Sequence, residues 1–134
     1  MALSRICLDT NAYVRFRRGE REAVEAIESA RSVLVPAIVV GELRTGFRLG
    51  DRAARNEAAL RAFLENPAVS VLVVDEEAAG HHADLMVELR RAGTPVPTND
   101  VWIAALALRE GATVLTCDGH FRAMQGVAVR LLGG

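Results

Sequence analysis

Apolar positions along this chain follow two rhythms. Short continuous apolar runs, closed by a charged, proline or turn residue, alternate with longer stretches in which apolar residues recur every three or four positions. Five of the short runs read as strands: residues 5–9, ending on a carboxylate, then 32–35, 69–74, 113–116 and 127–131. The helical rhythm fills the gaps. Residues 20–30 carry a stripe of Ala23, Val24, Ile27 and Ala30, and residues 76–91 carry one of Ala78, His82, Leu85, Met86 and Leu89. Further helices are predicted over 37–49, 52–64 and 99–110, with a short helical turn after Asp118. Their ends are punctuated as expected: Pro36 stands where a helix begins without losing a hydrogen bond, and Gly50, Gly93 and Gly111 lie just past helix ends. Strands separated by helices need right-handed crossovers, which make the sheet parallel and cover both its faces. The pattern predicts an α/β fold of three layers, α/β/α.

No linker, repeat or low-complexity tract interrupts this alternation, so residues 1–134 read as one domain. With 51% hydrophobic residues the chain has enough apolar mass for its own core and is not disordered. Sixteen basic residues against 17 acidic ones leave a net charge of −1, a balance that by itself speaks against a nucleic-acid-binding surface. Every basic residue is arginine, a bias we assign to genome composition. Cys7 and Cys117 are too few for a disulfide framework, and the N-terminus lacks the zones of a signal peptide. No apolar run reaches the roughly 18 residues of a membrane span. The expected setting is cytoplasmic, with reduced thiols and no membrane partner.

The candidate chemistry lies in carboxylates. Asp9 and Asp118 follow strands and are delivered to the edge of the sheet where sites form in open parallel α/β folds. Glu42 lies about 60° from Val39 around its helix, at the border of the buried face, with Gly46 one turn on leaving room for close approach. Asp100 shares a helix face with Ile103, Ala104 and Ala107, an unusual place for an acid, and its first-turn position favours the charged form. Each acid taken alone has an ordinary reading as a cap, a turn former or a solvated side chain; only their joint placement suggests a site. If they converge, charges about 4 Å apart repel by about 4 kcal/mol at an effective dielectric near 20, and a divalent cation removes that penalty. An all-oxygen donor set favours Mg²⁺, with Mn²⁺ as a substitute, over zinc. Such a site suits phosphodiester hydrolysis.

These segments resemble a known family. Leu8-Asp9-Thr10-Asn11, Val39-Val40-Gly41-Glu42-Leu43 with Thr45-Gly46, Pro97-Thr98-Asn99-Asp100 running on through Ala105, and Leu115-Thr116-Cys117-Asp118-Gly119-His120-Phe121 are similar to the motifs of PIN-domain ribonucleases. The third and fourth are the more specific. The length is similar to that of VapC toxins from toxin–antitoxin pairs. The resemblance implies a five-stranded parallel sheet and a Mg²⁺ site. It also implies endonucleolytic cleavage of transfer or ribosomal RNA, inhibition of translation, a homodimer and a cognate VapB-like antitoxin. Asp9, Glu42, Asp100 and Asp118 carry over as catalytic acids, with Asp9 and Asp100 the chief metal ligands. His120 stands at a variable place and inherits no role. A haloacid dehalogenase-type phosphatase also begins with an acid after a strand, but needs a second Asp where this chain has Asn11. A PIN nuclease of RNA processing and a non-catalytic PIN-like binding module are the remaining rivals; the full acid set speaks against the latter.

Other residues receive plainer readings. Thr98 or Asn99 is expected to cap its helix. His81 and His82 read as surface or packing residues, and Cys117 as core. Arg15, Arg17, Arg18 and Arg21 read as a solvated face paired with Glu20, Glu22 and Glu25, which leaves Arg44 as the single arginine best placed for a phosphate. Trp102, about 200° round its helix from Asp100, reads as a packing or dimer residue. Asn11 and Thr116 could orient the acids.

Overall fold

The computed structural model describes residues 3–133. The elements in chain order are β1 (Arg5–Leu8), α1 (Thr10–Arg17), α2 (Arg21–Ser29), β2 (Ser32–Pro36), α3 (Ala37–Leu49), α4 (Ala53–Glu65), β3 (Val69–Leu72), α5 (Glu76–Ala92), α6 (Thr98–Glu110) and β4 (Thr113–Thr116). A 3₁₀ turn (Gly119–Ala123) and β5 (Val129–Leu131) complete the chain. The strands form one five-stranded sheet in the order β3-β2-β1-β4-β5, and every pairing is parallel. Helices on the faces of this sheet make the three-layer α/β/α fold.

The central strands are covered on both faces, so they need continuous apolar sequence rather than alternation. Ile6, Cys7 and Leu8 are wholly buried, as are Val35, Val114 and Leu115. Helix α6 is buried almost all round, through Val101, Ile103, Ala104, Ala105, Leu106 and Ala107. It packs against α5 and touches α3 and β1. Its small residues let it lie close, and Gly111 ends it with φ 61°, a conformation only glycine adopts without strain.

Element boundaries differ from the sequence reading where pairing partners run out. The strand expected over 69–74 stops at Leu72 because its last partner on β2 is Pro36, which has no N–H and opens α3. Val73 and Val74 therefore leave the ladder and stand exposed at the sheet edge. The last strand begins at Val129 rather than Val127, opposite Val114. Helix α1 was not expected: its sequence, Thr-Asn-Ala-Tyr-Val-Arg-Phe-Arg, is poor in strong helix formers. It forms because Asp9 caps its first turn and because Tyr13 and Phe16 pack with Phe63 of α4, at ring-centroid distances of 5.1 and 5.3 Å.

Candidate active site

The chain runs outward from β1 through β2 to β3, then returns to the other side of β1 for β4 and β5. The order reverses between β1 and β4, and the crevice beyond their carboxyl ends is the natural place for a site. Leu8 pairs with Leu115 there, and the Asp9 N–H donates to Leu115 O at 3.1 Å. The backbone of Asp9 thus closes the sheet ladder while its side chain starts α1.

The Asp9 carboxylate is 5% exposed and well supplied with donors. Oδ1 accepts from the Thr10 N–H at 2.8 Å; Oδ2 accepts from Thr116 Oγ1 at 2.8 Å and from Asn11 Nδ2 at 3.1 Å. Thr116 in turn accepts from the Asp118 N–H at 2.9 Å, and the Asn11 side-chain oxygen accepts from the Cys117 N–H at 3.0 Å. Asp118 caps the 3₁₀ turn by accepting from the His120 N–H at 2.9 Å. Across the crevice, Thr10 Oγ1 donates to Glu42 Oε1 at 2.7 Å, which ties α3 to the start of α1. Asn11 and Thr116 therefore orient Asp9 and the loop that carries Asp118.

Asp9, Asp118 and Glu42 all act by charge on Asp100, and Glu42 and Asp118 also act on Asp9. Burial raises the Asp9 pKa above its ordinary value; the bonds from Thr116 and Thr10 oppose the rise, and the charges of Glu42 and Asp118 add to it. Asp100 is pushed up to about 6, first by burial, then by Asp9 and Asp118, with His120 opposing and Glu42 adding a little. This is the unneutralised charge expected of an acid cluster. One oxygen each of Asp100 and Asp118 and one nitrogen of His120 lie within 4.8 Å of one another, close enough to share an ion. His120 Nδ1 is 3.1 Å from Asp118 Oδ1 and 3.8 Å from Asp100 Oδ2. The donor set is mainly carboxylate oxygen with one imidazole, which fits a hard divalent cation and also tolerates Mn²⁺. The resemblance gives His120 no role; its signal in the sequence is a place two residues after Asp118.

Other expectations are corrected. Neither Thr98 nor Asn99 caps α6: Pro97 holds the N-cap position, and its carbonyl accepts from the Asp100 and Val101 N–H groups. Arg44 is committed to Glu57 of α4, with Nε 3.1 Å from Oε1 and Nη2 3.0 Å from Oε2, and is not free for a phosphate. Among the described residues outside its own helical turn, nothing lies within 4 Å of a Cβ added at Gly46, so close packing does not explain that glycine. Glu42 is exposed rather than at a buried border. Cys117 is half-buried beside the core. His82 stacks on Trp102 with ring centroids 3.7 Å apart, a packing role for both rings. The arginines after Asp9 divide: Arg15 and Arg21 pair with Glu20 and Glu25, whereas Arg17 and Arg18 have no carboxylate partner among the described residues.

Comparison with known proteins identifies the fold family. The model of the PIN domain family matches residues 6–127, a span that includes all four acids. The chain belongs to the PIN domain family. Its relatives within the family include proteins named VapC ribonucleases. Ribonuclease VapC5 of Mycobacterium tuberculosis is 35% identical over 122 residues, which covers 90% of this chain and 88% of that protein. The crystal structure of VapBC2 from Rickettsia felis, bound to a DNA fragment from their promoter, superposes with a TM-score of 0.85 over 96% of this chain and 99% of that one. At 21% identity that likeness concerns the fold alone. The crystal structure of VapBC-5 from Mycobacterium tuberculosis, a member of the VapBC family of toxin–antitoxin systems, has a TM-score of 0.73 at 29% identity, over 96% and 98% of the two chains. The PIN family thus accounts for the five-stranded, all-parallel sheet. Among the described residues, no helix is long and apolar enough to cross a membrane.

Proposed function

We propose that this PIN-family chain is a metal-dependent endoribonuclease that acts as the toxin of a toxin–antitoxin pair. The observation that carries the reading is that Asp118 lies beside Asp100 while Asp9 and Glu42, from two further parts of the chain, act on Asp100 by charge, next to the switch point of the sheet. Relatives named as ribonucleases, and a solved relative described as a toxin–antitoxin system, support the choice of substrate and role.

Asp9 and Asp100 would be the chief ligands for the ion, Mg²⁺ or Mn²⁺, with Asp118 and His120 beside Asp100. When bound, the ion supplies Lewis-acid polarisation of the scissile phosphate and a water of lowered pKa. The chain's own residues do the rest. Thr116, Asn11 and the Thr10 N–H hold the Asp9 carboxylate in one orientation, and the bonds from Thr116 and Thr10 oppose the rise in pKa that burial causes. Glu42, anchored by Thr10, faces the crevice from α3, where it can position a water or accept its proton. Asp100, raised to about 6, keeps a small protonated fraction near neutrality, and a bound cation would favour its ionised form.

The substrate class is structured RNA, transfer or ribosomal, and the biological outcome is arrest of translation. A cognate VapB-like antitoxin, a homodimeric assembly and a cytoplasmic setting complete the proposal. The deciding experiment is cleavage of total transfer and ribosomal RNA with Mg²⁺, with EDTA, and by the folded Asp9→Asn and Asp100→Asn variants. Cutting should require the metal and fall by at least 100-fold in each variant. Variants that cut at the parental rate would sink the site. Mapping new RNA 5′ ends after brief induction identifies the target.

A further inference from the structure

A groove of about 690 Å³ runs from the acid site between α1, α3 and α4. Thr10 and Glu42, the bonded pair at the crevice, line it, and so do Arg17 and Arg18 of α1, Arg52 before α4, and Arg55 within α4. Its remaining walls include Tyr13, Phe47 and Asn56.

Four of the residues that line this groove are arginines, gathered beside the acid site. Arg15, Arg21 and Arg44, its neighbours in sequence, each sit against a carboxylate. Arg17, Arg18, Arg52 and Arg55 make no ion pair and donate no side-chain hydrogen bond among the described residues, and all four are exposed. Tyr13 adds a second observation. It is 2% exposed, yet its hydroxyl has no hydrogen-bond partner among the described residues. A buried hydroxyl left unpaired is costly, and an occupant of the groove or a water it brings would complete it.

We propose that this groove is the track for the RNA backbone, with Arg17, Arg18, Arg52 and Arg55 holding the phosphates that flank the scissile one. The inference rests on the nuclease reading above and assigns the route of its substrate. A polyanion approaching clustered acids is repelled, and a chain of net charge −1 offers no general field to offset that. The unpaired cations next to the acids supply it locally. Helix α1 rises about 1.5 Å per residue, so Arg17 lies about 10 Å along the groove from Thr10. The arginines therefore bind flanking phosphates and take no part at the reacting one. Their loss should raise KM much more than it lowers kcat.

The test compares two double variants with equal change of charge. Arg52→Gln/Arg55→Gln removes cations from the groove. Arg90→Gln/Arg91→Gln removes two exposed arginines at the far end of α5 that make no ion pair among the described residues. Steady-state cleavage gives KM and kcat, and anisotropy of a labelled RNA on the Asp100→Asn background gives affinity across salt concentrations. The groove variant should raise KM about tenfold or more and flatten the log–log salt slope by about 0.7 to 0.9 per arginine removed, while the α5 variant changes neither. Tyr13→Phe should raise KM several-fold with an unchanged or higher thermal midpoint; a lower midpoint with unchanged KM would make the hydroxyl purely structural and remove it from the track. Equal effects of the two double variants, or a groove variant with parental KM and slope, would overturn the proposal. So would a groove variant that binds RNA normally but no longer assembles with its antitoxin, which would make the occupant a protein. If the parent binds RNA with the expected slope but never cuts it, the groove stands and the nuclease reading falls.

Discussion

The Thr116 hydroxyl donates to Asp9 Oδ2 at 2.8 Å from a wholly buried position, and the same oxygen accepts from the Asp118 N–H at 2.9 Å. A single side chain thus fixes two of the four acids. Thr116→Val keeps the shape and removes the hydroxyl, leaving a carboxylate oxygen and an N–H short of a partner. Loss of such a bond costs about 1–3 kcal/mol. Denaturant unfolding should show that loss, and RNA cleavage should drop by about tenfold or more. Thr116→Ser should recover most of both.

Asn11 bridges the same acid to the β4 loop, donating to Asp9 and accepting from the Cys117 N–H. Asn11→Asp preserves the acceptor but exchanges the donor for a negative charge beside Asp9. In EDTA the variant should melt several degrees below the parent, through like-charge repulsion. Mg²⁺ should recover part of the difference. A melting point equal to the parent's without metal would show that the acids do not feel one another at this distance.

Asp100 makes the metal-free protein sensitive to pH in a defined direction. Its pKa is about 6 in the folded chain against an ordinary 3.8, so the folded form holds a proton that the unfolded form has released. The resulting stabilisation is complete below about pH 4 and is lost as pH rises through about 6. In EDTA, Asp100→Asn should therefore raise the thermal midpoint at pH 7.5 and leave it near the parental value at pH 4. Mg²⁺ should stabilise the parent at pH 7.5 more than at pH 5, and the variant little at either.

Far from the crevice, Arg109 is a structural hub. Its Nη1 donates to Val73 O at 2.8 Å and to Asp75 Oδ1 at 2.9 Å, and its Nε donates to Glu110 Oε2 at 2.8 Å. It joins the end of α6 to the residues that follow β3. Arg109→Ala should lower the thermal midpoint by several degrees with kcat unchanged below the transition. A loss of kcat in the folded variant would connect this end of the molecule to the chemistry.

The layered fold was legible because a parallel sheet covered on both faces writes itself as continuous apolar strands. Residues 37–49 and 113–116 were placed at their observed ends, since proline, glycine and charged residues mark those boundaries chemically. Helix α1 was not legible, because aromatic contacts with a residue some fifty positions away hold it rather than its own composition. The acids could be named, but their supporting bonds could not. Asn11 and Thr116 are ordinary turn and strand-end residues until β1 and β4 are known to be neighbours. Arg44 looked free because Glu57 is distant in sequence, although one helical hairpin brings them together. His120 entered the site through a 3₁₀ turn whose geometry no periodicity encodes.

The register of β1 against β4 has a consequence for how such a protein can change. Because Leu8 sits opposite Leu115, the separation between the first and last acidic segments is dictated by main-chain ladder geometry, which is nearly indifferent to side-chain identity. Drift on the outer surfaces of α2, α4 and α5 can remodel what the protein recognises without disturbing the spacing its chemistry requires. A one-residue deletion between Arg5 and Asp9 would be far more damaging than many surface replacements together.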